Sequence, residues 1–265
     1  MASNSTLTLV ASGLFSLLVA ALSGGIAFRT ARANARGELD KIQRQVDAQQ
    51  AVLEKAKIAE LRQSYLSPLR YYAQALSRRL AELEMKFQSA ENDRVRAWFK
   101  TVKDHVTRDK RLEHYEAWCY YEGIFAISTL YYTCSYFHCA RSIRFYRPFG
   151  ESRPTYSEAL EAFLVHVTEA FAGRQGTGIW DTAQEVTGER FIKNNSSMTY
   201  AEMCSEHEAE ESFRRAPFFR PLDFYWTELD IVKAQEIRNS LDELINFLDS
   251  QDPQSYGFSS LALEI

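Results

Sequence analysis

Cysteine and histidine supply the softest donor atoms in this 265-residue chain, and there are only four and five of them. Two pairs have helical spacing. Cys134 and His138 stand four residues apart with Cys139 adjacent, and Cys204 and His207 stand three apart. On a helix each pair projects from one face, so two pairs brought together would offer thiolate and imidazole ligands to a tetrahedral zinc ion. Neither pair has the spacing of a known zinc module, and the first lies in an apolar stretch. Buried, reduced thiols are the simpler reading, and no metal or other cofactor is expected. Glu206, Glu208, Glu210 and Glu211 surround His207 and are residue types that suit general acid–base work. No nucleophile stands beside them, and a solvated helix face accounts for the run. Gly173 to Gly178 is glycine-rich but lacks the Gly-Lys-Ser/Thr ending of a phosphate loop, so it reads as a turn between helices. No catalytic residue is assigned.

One carboxylate stands apart from these sets. Glu122 has Trp118, Cys119, Phe125 and Ala126 as its helical neighbours, which places a charge on an apolar helix, and a buried charge must be paired. Arg78 and Arg79 of an earlier amphipathic segment are the expected partners. The pair would fix the register of two helices.

The element that would position all of this is the first apolar run, Leu7 to Phe28, which holds no charged side chain. As a helix it covers roughly 33 Å, enough for a hydrocarbon core of about 30 Å. Residues 1–6 carry no charged side chain, whereas Arg29, Arg32, Arg36, Lys41 and Arg44 follow the run. Positive charge stays inside, so the expectation is an outside N-terminus, a span in the plasma (inner) membrane and a cytosolic body. A cleavable signal ending near Ala21-Leu22-Ser23 is the competing reading, and the missing positive start weighs against it. Ser12, Ser16, Ala20 and Gly24 form a stripe of small residues that would let two spans approach closely as a homodimer. General richness of spans in small residues explains the same stripe.

Residues 29–63 form an amphipathic neck. Leu39, Ile42, Val46, Leu53 and Ala56 recur at three- and four-residue steps around Gln49, and then Ile58, Leu61 and Tyr65 change the phase. The pattern suits either a short parallel coiled coil or a helix folded back on the body.

Residues 64–250 form the body, with residues 251–265 a loosely held tail. Few breakers, 11 Gly and 6 Pro, favour helices. Ser67-Pro68 reads as a helix start, with Ser67 as cap and Leu69, Tyr72, Leu76, Leu80 and Leu83 on one face. Tyr115 to Phe149 is dense in aromatics and reads as a buried central helix. Glu122, His138 and the many tyrosine hydroxyls argue against a second span over 118–139. Further helices are expected from Pro154 to Gly173, over 179–192, over 199–215 and over 223–249. The fold class is therefore all-α, an irregular helical bundle around the aromatic helix. The net charge of −4, mixed along the chain, gives no basic surface for nucleic acid.

Several stretches carry a resemblance: Tyr65-Leu66-Ser67-Pro68-Leu69-Arg70, Ser77-Arg78-Arg79-Leu80, Ser128-Thr129-Leu130-Tyr131-Tyr132, Ile179-Trp180 with Gly188-Glu189, Tyr200-Ala201-Glu202-Met203, and Leu244-Ile245-Asn246-Phe247-Leu248-Asp249. In these the chain resembles a loosely defined set of uncharacterised bacterial membrane-anchored helical proteins. The resemblance implies one helical domain at a bacterial plasma membrane and brings no activity with it.

Three functions fit. A membrane-tethered interaction or scaffold module, with the bilayer, a second copy or another protein as partner, needs an exposed apolar patch. A sensor or effector needs an enclosed pocket with convergent polar groups. A metal-dependent membrane-associated enzyme needs two ligand pairs within reach of one ion. The first is the leading expectation.

Overall fold

Leucine spacing builds the two helices on which the body rests. In the computed structural model, Ser67–Gln88 is helix α2, and its Leu69, Ala73, Leu76, Leu80, Leu83 and Phe87 form one buried stripe. Ile231–Ser250 is helix α10, with Ala234, Ile237, Leu241, Leu244 and Leu248 buried in the same way. Steps of three and four residues bring each set onto one side. The two helices pack antiparallel, and three polar contacts run beside the apolar seam. Arg70 bonds Asp249 through two nitrogens, Ser77 Oγ donates to Asp242 at 2.6 Å, and Arg238 meets Glu84 at 3.2 Å. On α2 these residues are seven apart, two helical turns, so all three lie along one edge of the stripe.

The structure describes residues 32, 34–39, 41–53, 55–89, 91–107, 114–149, 154–172, 178–193, 196–206 and 219–250. The chain divides into two units, one ending at Glu60 and the other beginning at Leu61. In the first, helix α1 is the neck, helical at 34–39, 41–53 and 55–60. The proposed span Leu7–Phe28, its stripe Ser12, Ser16, Ala20 and Gly24, and the tail lie outside the described residues. Among the described residues no helix is long and apolar enough to cross a membrane, and this includes the aromatic helix.

The second unit continues with α3 (Asn92–Thr107), α4 (Tyr115–Tyr120), α5 (Ile124–Tyr146), α6 (Pro154–Ala172), α7 (Asp181–Arg190), α8 (Tyr200–Glu206) and α9 (Phe219–Asp223), followed by α10. A two-residue antiparallel ladder, Ile192–Lys193 with Ser196–Ser197, joins α7 to α8. The body is thus all-α apart from that ladder. Helix α5 is buried on nearly every side, from Phe125 to Ile143, as a central helix should be. Two of its threonine hydroxyls are satisfied inside the body: Thr129 donates to the Phe125 carbonyl, and Thr133 contacts both the Thr129 carbonyl and the Tyr225 hydroxyl.

Four boundaries differ from the sequence reading, each for a local reason. Ser67 is not a cap: it is helical (φ −64°, ψ −46°), and its N–H donates to the Arg62 carbonyl in a wide π-turn over Arg62–Leu66. Pro68 lacks an N–H and crowds the carbonyl four residues back, and the wide turn accommodates it. The aromatic segment is two helices, because Gly123 bonds back to the Trp118 carbonyl and the Trp118 ring occupies the space a Cβ would take there. The last helix is also two pieces. A π-turn, Phe224–Glu228, ends at extended Leu229, and Asp230 caps α10 by accepting from the Lys233 N–H. Arg96 donates to the freed carbonyls of Trp226 and Leu229. Helix α7 starts at Asp181 and stops at Arg190, shorter than the expected 179–192, since Phe191 turns out of the helix (φ −78°, ψ 39°) ahead of the ladder.

Candidate functional site: a tyrosine-lined groove

Adjacent tyrosines on a helix point about 100° apart, so a Tyr-Tyr doublet puts one ring toward the core and one toward water. Two such doublets face each other. On α2, Tyr72 is half-buried and Tyr71 is 58% exposed, and on α5 Tyr131 and Tyr132 are half-buried. The Tyr72 and Tyr131 hydroxyls lie 3.3 Å apart and their rings meet edge to face at 6.1 Å. The aromatic row continues from Tyr131 to Phe191 (5.8 Å) and to Tyr200 (5.6 Å), and from Tyr200 to Tyr120 (5.6 Å). Tyr200 is anchored by its hydroxyl on the Cys119 carbonyl at 2.9 Å.

Two recesses share Tyr71 and Gln74 and make one open groove along the outer face of α2. The first, about 460 Å³, is lined by Gln63, Ser67, Pro68, Arg70, Tyr71, Tyr72 and Gln74. The second, about 210 Å³, adds Arg78, Arg79, Glu82 and Tyr132. Burial and the neighbouring Tyr131 hydroxyl push the Tyr72 hydroxyl well above its ordinary value, and burial raises that of Tyr132. Both therefore remain protonated hydrogen-bond donors near neutrality. Arg79 lies 4.6 Å over the Phe125 ring and pairs with Glu82, whereas Arg78 is exposed. Such a surface offers ring faces, hydroxyls, side-chain amides and a guanidinium, the groups used for non-covalent recognition.

A larger cleft of about 840 Å³ lies between the end of α5, α6 and α7. Its walls carry both signs of charge, part of it paired across the helices. Arg144 bridges Glu161 at 3.1 Å and Asp181 at 3.3 Å, and Arg141 reaches Glu189 at 3.5 Å. The arginines of α5 thereby fasten it to the two neighbouring helices.

The expected Glu122 pair is not formed. Glu122 is exposed in the turn between α4 and α5, because the helix breaks at Gly123 and the apolar neighbours assigned to it belong to two different helices. Among the described residues the buried carboxylate is Glu84, 6% exposed and beside Arg238. Cys134 is buried in α5, and His138 Nδ1 lies 3.0 Å from the Gly188 carbonyl of α7. Cys204 is buried in α8, while His207 lies outside the described residues. Among the described residues no group of three or more His, Cys, Asp or Glu side chains could hold a metal ion. Gly173 to residue 177 also lie outside the described residues. Gly178 has φ +94°, and its backbone is held by Glu228 and Arg220.

The groove was legible only as a spacing. Tyr72 falls on the apolar stripe of α2 and Tyr71 falls off it, but nothing in the pattern says that Tyr131 is what Tyr72 meets. No family model, curated protein or solved structure matches the chain, in keeping with its resemblance to a set of helical proteins to which no activity is attached.

Proposed function

We propose that the chain is a membrane-tethered, non-enzymatic interaction module. Leu7–Phe28 serves as its span, the N-terminus lies outside the plasma (inner) membrane, and the body presents the tyrosine groove to a protein segment in the cytosol. The observation that carries the reading is the open groove of α2. Tyrosine gives large contact area at a low cost in side-chain entropy and is enriched where proteins meet. Tyr71 meets the Tyr72 ring edge to face at 5.1 Å and, 58% exposed, leaves most of its own ring open to a partner beside Arg78 and the amides of Gln63 and Gln74. The charge asymmetry around Leu7–Phe28 supports the topology, and the small-residue stripe Ser12, Ser16, Ala20 and Gly24 supports a homodimeric contact within the bilayer.

The test uses the full chain in its native membrane with a photo-crosslinking amino acid at Tyr71, and at Val232 as an exposed control on α10. A discrete adduct with another polypeptide from position 71 alone is expected. It should be lost in Tyr132→Ala with the helical content unchanged. Equal labelling at both positions would sink the groove as a contact surface. Reporter fusions at the two ends test the topology, and a periplasmic C-terminus would overturn it.

A further inference from the structure

The neck helix carries an apolar stripe for which its own unit offers no cover. Leu39, Ile42, Val46 and Leu53 are 64, 55, 40 and 68% exposed on α1, an unusual outlay of large aliphatic side chains. With Gln49 and Ala56 they occupy positions 39, 42, 46, 49, 53 and 56, alternating steps of three and four that give the a and d sites of successive heptads. The register ends where the second unit begins. Leu61, Tyr65 and Leu66, which follow in a different phase, pack on the core of the body. The two sets differ in phase, and the second belongs to the body's own core.

We infer that the first set is covered by a second copy of this chain, in a parallel, in-register coiled coil over residues 39–56. Three features select this occupant. A stripe centred on a and d sites, with Val52 beside it at one g site, is what another helix reads, and it is narrower than the apolar face of a helix lying in a lipid interface. In a parallel in-register pair the flanking e and g sites set Glu38 against Gln43, Gln45 against Gln50 and Val52 against Lys57 of the other copy, so no like charges meet. Arg44, Asp47 and Lys55 fall on the outer sites. Finally, Gln49 at a d site faces Gln49 of the other copy, where each carboxamide both donates and accepts. A polar residue in one layer is the device that sets register in such pairs. An antiparallel pair would instead oppose Gln49 to Val46 and Arg36 to Lys57. The surface is distinct from the groove of the body, so the two readings fail separately.

The test is oxidative cross-linking of the full chain in its membrane, with single substitutions Leu39→Cys, Ala56→Cys and, on the outer face, Ala51→Cys. The four native cysteines are buried, which keeps the background low. Under copper-phenanthroline oxidation Leu39→Cys and Ala56→Cys should each give a disulfide-linked dimer at least tenfold faster than Ala51→Cys. The double variant Ile42→Asp/Val46→Asp, added to either, should abolish the cross-link without loss of helical signal from the body. The inference is overturned if Ala51→Cys links as fast, if no position links, or if linkage survives the two aspartates. It is also overturned if Leu39→Cys links only to a co-expressed Ala56→Cys chain, the antiparallel result.

Discussion

Glu84 of α2 and Arg238 of α10 meet at 3.2 Å across the leucine seam, yet they are unequally buried, the side chains being 7 and 32% exposed. The asymmetry predicts unequal mutants. Arg238→Met leaves a carboxylate buried without its cation and should cost about 3–5 kcal/mol, the usual penalty for breaking a buried pair. Glu84→Gln leaves a long side chain that can turn its guanidinium into water, and about 1–2 kcal/mol is expected. The double variant Glu84→Leu/Arg238→Met should return to within about 1 kcal/mol of the parent, because two well-packed apolar groups can replace the pair. Urea unfolding followed by circular dichroism reads all three. Equal losses in the two single variants would show that burial does not control the cost.

Gly188 sits where α7 crosses α5 so closely that an added Cβ would lie 2.6 Å from the Phe137 carbonyl oxygen. Helix propensity alone predicts that Gly188→Ala stabilises α7 by about 1 kcal/mol. The contact predicts the opposite sign, a loss of about 1–3 kcal/mol from overpacking against backbone that cannot yield. Thermal unfolding distinguishes them, and a raised Tm would mean that the helices can separate at little cost.

The apolar faces of α2, α6 and α10 were legible in the sequence because each repeats at three and four residues over several turns, and α5 was legible as a dense aromatic run. Partners were not legible. The pattern gives Leu76 a face and says nothing of Leu244, and the contacts Arg70–Asp249 and Ser77–Asp242 join residues 179 and 165 positions apart. Breaks were missed where a residue permits a helix but local packing forbids it. At Gly123 the Trp118 ring closes the turn, which moved Glu122 from an apparent core position to water. Leu229 carries no breaking signal of its own, and the stop there comes from Asp230 capping the next helix.

His138 is held with a lowered pKa, chiefly by burial and secondarily by the nearby Arg141 charge, while its contact with the Gly188 carbonyl pulls the other way. A base with a depressed folded value binds fewer protons folded than unfolded, so its contribution is present above the ordinary value of 6.5 and lost as pH falls below it. Stability of the parent relative to His138→Asn, whose amide can keep a donor on the Gly188 carbonyl, should therefore fall between pH 7.5 and 5.5. Paired unfolding curves at the two pH values supply the measurement. A difference independent of pH would show that the ring binds protons equally in both states, so that burial does not depress its pKa.

Cys134 and Cys139 lie inside α5, and burial pushes the Cys139 thiol up to about 12 and Cys134 higher still. Cys119 and Cys204 are buried as well. Reaction requires thiolate and access, so at pH 8 the folded chain should leave all four thiols untouched by a chromogenic disulfide reagent over minutes, and denaturant should release all four together. Because α4, α5 and α8 share one core, the four rates should follow the unfolding of the body. Early release of Cys119 and Cys204 with Cys134 and Cys139 still protected would show that α4 and α8 open without α5, making the segment beside Tyr200 the least stable part of the bundle.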